Sequence, residues 1–135
     1  MKKKDIIKLI GTSMRPLSRN NDLAIVMRQK RYNLFDVVLF RDKKKRRWIL
    51  HRIVRFRRDG KVTLHGDNNA SFFKARAAFE VGDRREIRSR LAAIIRNGRM
   101  ISGFRLKIFS AFSFFLGLVK LLPFLIKKYV FRIKR

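Results

Sequence analysis

Ser13, His51 and Asp67 are the residues of this 135-residue chain whose types and order suit covalent chemistry on oxygen. A serine hydroxyl at its ordinary pKa is a weak nucleophile and needs a base within hydrogen-bond reach. An imidazole suits that task, because its unperturbed pKa of about 6.5 lets it take the proton near neutrality and return it to a leaving amine. A carboxylate beside the imidazole fixes its tautomer and steadies the imidazolium that develops. Ser13 stands in Gly11-Thr12-Ser13-Met14-Arg15-Pro16, where Gly11 lets the backbone turn and Pro16 stiffens the exit. His51 falls in Leu50-His51-Arg52-Ile53-Val54, and Asp67 in Gly66-Asp67-Asn68-Asn69. Each has an ordinary explanation when taken alone: a turn serine, a packing histidine, a turn aspartate. A second histidine, His65, precedes Gly66 and reads as a strand-end residue rather than the base.

The elements that must position these residues are short β-type runs separated by turn signals. They cover Leu23–Met27, Val37–Arg41, Trp48–Phe56, Lys61–His65 and Leu91–Ile95. Alternation within Trp48–Phe56 puts His51 on the face of Ile49 and Ile53. Asp59-Gly60 is a two-residue hairpin signal, because a type I′ turn needs positive φ at both central positions. That turn would set Arg58 opposite Lys61 and His51 opposite Asn68. Strict alternation then points Asp67 away from His51, so the carboxylate reaches the imidazole only if the strand breaks or bulges at Gly66.

The length leaves room for one domain with a modest core. Without cysteine the chain has no disulfide framework and no thiolate nucleophile, and two histidines with scattered carboxylates make a poor metal site. No cofactor is implied. Lys and Arg number 36 against 9 Asp and Glu, a net charge of +27. Such a field attracts polyanions, of which nucleic acid and anionic lipid headgroups are the abundant ones. After Glu86 no acidic residue occurs, and the same terminal third carries a long apolar run. Basic charge bracketing apolar surface favours lipid, whereas no helix-turn-helix pattern precedes the candidate residues. The run Lys43-Lys44-Lys45-Arg46-Arg47 reads as a solvated loop between strands.

Residues 1–10 begin like the basic region of a signal peptide. Their apolar part, Ile6, Ile7, Leu9 and Ile10 broken by Lys8, is too short for an export signal or a spanning helix. From Ile108 to Ile126 the chain is nearly all apolar and rich in phenylalanine, interrupted by Lys120 and Pro123 and flanked by Arg105-Lys107 and Lys127-Lys128. A lysine at the centre of a span costs about 2.5–3.5 kcal/mol and proline kinks a helix. The segment is expected to be a C-terminal membrane anchor, either a kinked span or an interfacial helix, with a core helix packed on the sheet as the alternative.

The three boxes together resemble the type I signal peptidase and self-cleaving repressor superfamily, whose sequences run G-x-S-M-x-P, then a basic or histidine box, then G-D-N. Histidine in the second box is similar to the archaeal and endoplasmic-reticulum type of signal peptidase. Asn21-Asp22 and Phe35-Asp36 resemble the family's Gly-Asp turns with the glycine replaced, and both aspartates read as structural. The resemblance covers residues 9–70 well and fades beyond. It implies a mainly β fold of coiled sheets forming a partly open barrel, here followed by an apolar helix. Residues 1–103 would be the catalytic domain and 104–135 a basic, apolar, membrane-associating segment. It further implies a serine endopeptidase acting on an extended precursor or leader peptide, with small residues before the cleaved bond. Ser13 would be the nucleophile, His51 the general base and Asp67 its orienting acid. Gly11, Thr12, Met14 and Pro16 would shape the oxyanion and substrate loop, although Gly11 stands where many bacterial members carry a further serine. The N-terminal anchor usual in the family is not expected in residues 1–10. The competing reading is a non-catalytic basic protein on such a fold, binding membrane or nucleic acid.

Overall fold

A computed structural model describes residues 4–68 and 79–133 and, beyond Pro123, the side chain of Ile126 alone. Eight antiparallel strands are followed by one long helix. The strands are β1 (Lys4–Lys8), β2 (Leu23–Met27), β3 (Val37–Asp42), β4 (Arg47–Phe56), β5 (Lys61–His65), β6 (Phe79–Asp83), β7 (Ile87–Arg96) and β8 (Arg99–Ser102), and the helix α1 is Gly103–Ile133. They form a single sheet in the order β1-β2-β7-β3-β4-β5-β6, with β8 paired to β7 beside β3's position on that strand. Among the described residues no pairing joins β1 to β6, so the sheet does not close on itself. The fold is therefore mainly β with a C-terminal apolar helix.

Alternation on the central strands produces two cores, one on each face. Val37, Leu39 and Leu50 join Met14, Leu17, Val26, Leu91, Ile94 and Leu106 of α1 in the first. Val38, Phe40, Ile49 and Ile53 join Val62, Leu64 and Ile87 in the second. The sheet is thus buried on both sides at its centre, which explains why the central strands read as apolar runs rather than as half-polar ones. The pairing Val38↔His51 sends His51 to the second core, and Val37↔Arg52 sends Arg52 to the first.

Two turns govern the register. Asn97-Gly98 has φ of 50° and 73° and joins Arg96 to Arg99 as a two-residue hairpin turn, for which asparagine and glycine are suited. At Asp59-Gly60 only Gly60 is left-handed, at 75°, and Arg57 N–H donates to the Lys61 carbonyl at 2.9 Å. The loop there has three residues instead of the expected two, and the register shifts again between Ile53 and Arg55. Arg52 consequently pairs with His65, so His51 is level with Gly66 and not with Asn68. The segment Lys4–Lys8 is an edge strand on β2.

Candidate active site

The Ser13 loop is built on two buried anchors, Met14 and Leu17. Its own turns close through Arg15 N–H to the Thr12 carbonyl at 3.1 Å and Ser18 N–H to the Met14 carbonyl at 3.0 Å. The base of the loop is fastened by Asp22, which accepts from Arg19 N–H at 2.8 Å and from the Arg96 guanidinium at 2.7 Å. Burial raises the Asp22 pKa, but the hydrogen bonds and charges of Arg96 and Arg19 together outweigh it and the group is held below its usual value. Asn33 N–H donates to Asp36 at 2.8 Å in the same manner before β3. Asn21 and Phe35, the residues preceding these two aspartates, have φ of 71° and 68°. Both aspartates are structural, and both turns use the left-handed conformation that a glycine would take freely.

The far side of the loop is held by the turn after β5. Asn68 N–H donates to the Ser13 carbonyl at 2.7 Å, and Asn68 Nδ2 donates to the Thr12 carbonyl at 3.0 Å. Ser13 therefore lies at the end of the β4–β5 ladder where His51 is level with Gly66, the end away from the hairpin turn. Among the described residues neither the N–H nor the hydroxyl of Ser13 has a hydrogen-bond partner, and no hydrogen bond joins that hydroxyl to the His51 ring. Gly11, with φ of 106°, occupies a conformation that a side chain would oppose, and its N–H donates to Asn20 Oδ1 at 3.2 Å. Asn69 lies outside the described residues.

His51 is buried, and its Nδ1 lies 3.3 Å from Glu80 Oε2 on β6. The two atoms are close enough to interact as charges but are not aligned as a hydrogen bond. Glu80 also accepts from Lys45 Nζ at 2.9 Å. His51 lowers the Glu80 carboxyl pKa most, Lys45 adds to it and burial opposes both, bringing it to about 2. Glu80 thus occupies the place beside the imidazole that the sequence assigned to Asp67. No spacing rule marks it, because it comes from a separate strand outside the three boxes.

Asp67 is fully buried on the opposite face. Its carboxylate accepts Arg52 Nε at 2.9 Å, Arg52 Nη2 at 2.6 Å and the Ser113 hydroxyl at 2.6 Å. The expected reach from Asp67 to His51 is not made. With His65 paired to Arg52, alternation carries the chain from His65 to Asp67 on Arg52's side, and Gly66 does not reverse it. Arg52 donates further to the Phe35 carbonyl at 3.1 Å and to the Ser110 hydroxyl and carbonyl, each at 3.0 Å. All five guanidinium N–H groups are used. His65 lies on this face too, its ring tilted against that of Phe79 at 5.0 Å, and among the described residues neither ring nitrogen has a hydrogen-bond partner. Burial lowers its pKa, against the raising influence of Asp67.

Helix α1 closes this face with a stripe of small and polar residues. Ser113 bridges Asp67 and the Leu17 N–H, the latter at 3.3 Å, and Lys120 Nζ donates to Asn68 Oδ1 at 2.6 Å. Gly117 lets the helix touch the turn, since a Cβ there would stand 2.5 Å from the Asp67 carbonyl oxygen. Among the described residues no three His, Asp or Glu side chains converge as metal ligands would. Set against protein-family models, curated proteins and solved structures, the chain matches none.

Proposed function

We propose that this protein is a membrane-associated serine endopeptidase, signal-peptidase-like, that cleaves a precursor or leader peptide through an acyl-enzyme on Ser13. The observation that carries the reading is the pairing of buried His51 with Glu80 on the ladder whose open end holds the Ser13 loop through Asn68. With its proton on Nδ1, the nitrogen 3.3 Å from Glu80, the ring would present Nε2 as the acceptor, which is the arrangement a general base requires. Ser13 Oγ attacks the scissile carbonyl carbon as its proton passes to His51 Nε2. The C–N bond then breaks, the amine leaves with that proton, and water hydrolyses the ester by the same route in reverse. The Ser13 N–H is the leading oxyanion donor, and losing one such donor costs about 2.7–4 kcal/mol. Contacts of this kind commonly tighten only when substrate is present.

An extended peptide would add to a free strand edge, where main-chain hydrogen bonds hold a flexible chain. Among the described residues β6 pairs only with β5, and it carries Glu80. The membrane part of the reading rests on α1, whose first 21 residues, Gly103–Pro123, have mean hydropathy 1.6 and are long and apolar enough to cross a bilayer.

The test is to incubate the detergent-purified protein and its Ser13→Ala variant with precursor peptides bearing small residues before candidate bonds, and to map products by mass spectrometry. Cleavage by the wild type alone is expected. Identical product profiles from the two proteins would refute the assignment.

A further inference from the structure

The helix that is long enough to span a membrane is the same helix that roofs the Arg52–Asp67 pair, and the two arrangements compete. Leu106, Phe109, Ser110, Ser113, Gly117 and Lys120 face the sheet or its loops. They extend along about 21 Å of helix axis, at 1.5 Å per residue. That is most of the apolar stretch, and a hydrocarbon core is about 30 Å thick. Lipid cannot surround this stretch while the domain occupies one side of it. Withdrawing the helix into a bilayer would strip two hydroxyls and a carbonyl from a buried ion pair, and buried charge left without its partners is strongly destabilising.

The other side of the helix is of one kind only. Phe104, Ile108, Phe112, Phe115, Val119 and Leu122 are all exposed. At 3.6 residues per turn they fall within an arc of roughly 80°, nearly opposite the docked stripe. Arg105 and Lys107, both exposed, border this arc on its two sides. An apolar strip edged by cations, on a protein of net charge +27, is complementary to the boundary between acyl chains and anionic headgroups.

We infer that α1 lies in the plane of an anionic membrane surface, its Phe104–Leu122 strip in the acyl boundary and its Ser110–Lys120 stripe on the domain, so that the Ser13 loop is held at the lipid surface. This orientation rests on the membrane-associated part of the proposed function and is independent of the peptidase chemistry. The substrate it favours is a peptide segment itself lying on that surface.

The natural chain has no cysteine, so single cysteines carrying an environment-sensitive fluorophore can report depth one position at a time. Ile108→Cys, Phe112→Cys, Phe115→Cys, Val119→Cys and Leu122→Cys, labelled in the full chain, are bound to phosphatidylcholine vesicles with and without phosphatidylglycerol and quenched by lipids spin-labelled at stated depths. All five positions are expected at one shallow depth. Binding should be roughly tenfold or more tighter to the anionic vesicles and should weaken with salt, as two cations at the surface contribute about 1 kcal/mol each. Depth that runs through the bilayer centre from 108 to 122 would overturn the in-plane arrangement in favour of a span. Probes that stay in water, or burial of the strip by self-association without vesicles, would overturn the lipid assignment. The double variant Phe112→Ser with Phe115→Ser should abolish binding while the fold persists. Ser13→Ala should bind as wild type does, so an inactive chemistry and a misassigned surface give different results.

Discussion

His51 and Arg52 are adjacent on β4 and look to opposite faces of the sheet, where they meet opposite kinds of surroundings. Arg52 has every donor engaged: a carboxylate, two carbonyls and a hydroxyl enclose it, and the Phe114 ring lies 5.2 Å from its guanidinium carbon. Among the described residues His51 has one carboxylate at 3.3 Å, poorly aligned, and its Nδ1 makes no hydrogen bond. A buried network with no open valence fixes a structure, because any change in it leaves an unsatisfied group in a low dielectric. The Gly-Asp-Asn turn belongs to the first kind: Asp67 fastens the sheet to α1, and Asn68 fastens the Ser13 loop.

The largest effect expected is on the chemical face. His51→Ala should lower peptide cleavage by about 10²–10⁴-fold, the usual contribution of a positioned acid–base group, with a modest change in stability. His65→Ala, which alters a buried ring on the other face, should lower stability while cleavage by the folded fraction persists. Steady-state kinetics beside urea denaturation separates the two, and the reverse pattern would transfer the base to His65.

On the structural face, Arg52→Ala leaves the Asp67 carboxylate buried and uncompensated, and should cost about 3–5 kcal/mol of stability. Replacing both partners with apolar residues of similar volume, Arg52→Met with Asp67→Leu, should recover much of that loss. A single-variant cost below about 1 kcal/mol, the range of solvent-exposed pairs, would show that the network is wet and that the contrast between the faces is overstated.

Acid sharpens the contrast further. Glu80, with its carboxyl lowered from 4.5 to about 2, chiefly by His51, contributes stability that is complete above pH 4.5 and is lost as the pH falls toward 2. Glu80→Gln should remove that dependence, so the difference between the proteins is largest above pH 4.5 and vanishes near pH 2. His65 acts in a higher window: its lowered pKa favours the neutral folded form, so its contribution is present above 6.5 and declines as the pH falls below that value. Thermal unfolding followed across both windows should show the upper one unchanged in Glu80→Gln. An unchanged lower window would dissolve the His51–Glu80 pair.

These contrasts separate what local sequence can express from what it cannot. Strands β2 to β5 were legible because their apolar runs are bounded by turn residues. Strand β1, with Lys4, Asp5 and Lys8 around two isoleucines, is an edge whose stability comes from pairing with β2. Strand β8 lies outside the expected runs although Asn97-Gly98 makes its two-residue turn, and Asp59-Gly60, expected as a two-residue turn, forms a three-residue loop. Together the longer loop and the bulge in β4 move the register by two residues, which leaves Asp67 on the side that strict alternation already gives it, and with no reversal at Gly66 it is Glu80 that accompanies His51. The loop at Ser13 was readable from its glycine, apolar and proline positions. Glu80 was not, because pairing between strands far apart in the chain leaves no mark in spacing.

The smallest expected effect lies at Phe35, which supplies a carbonyl to Arg52 and rests its ring 5.2 Å from that of Phe114 while holding φ at 68°. A side chain in the left-handed region costs about 1–2 kcal/mol, and glycine avoids that cost. The ring contact recovers some of it, since aromatic pairs are worth about 0.5–1.5 kcal/mol beyond burial. Phe35→Ala loses the ring and keeps the strain, whereas Phe35→Gly loses both. Glycine is ordinarily the less stabilising residue, by about 0.5–1 kcal/mol in regular elements. Here the order should invert, with Phe35→Gly more stable than Phe35→Ala by about 1 kcal/mol in equilibrium denaturation. Equal stabilities would mean that the turn before β3 relaxes out of the left-handed conformation once the ring is gone. The ring contact with Phe114 would then be what imposes that backbone, since the carbonyl that Arg52 binds is present in both variants.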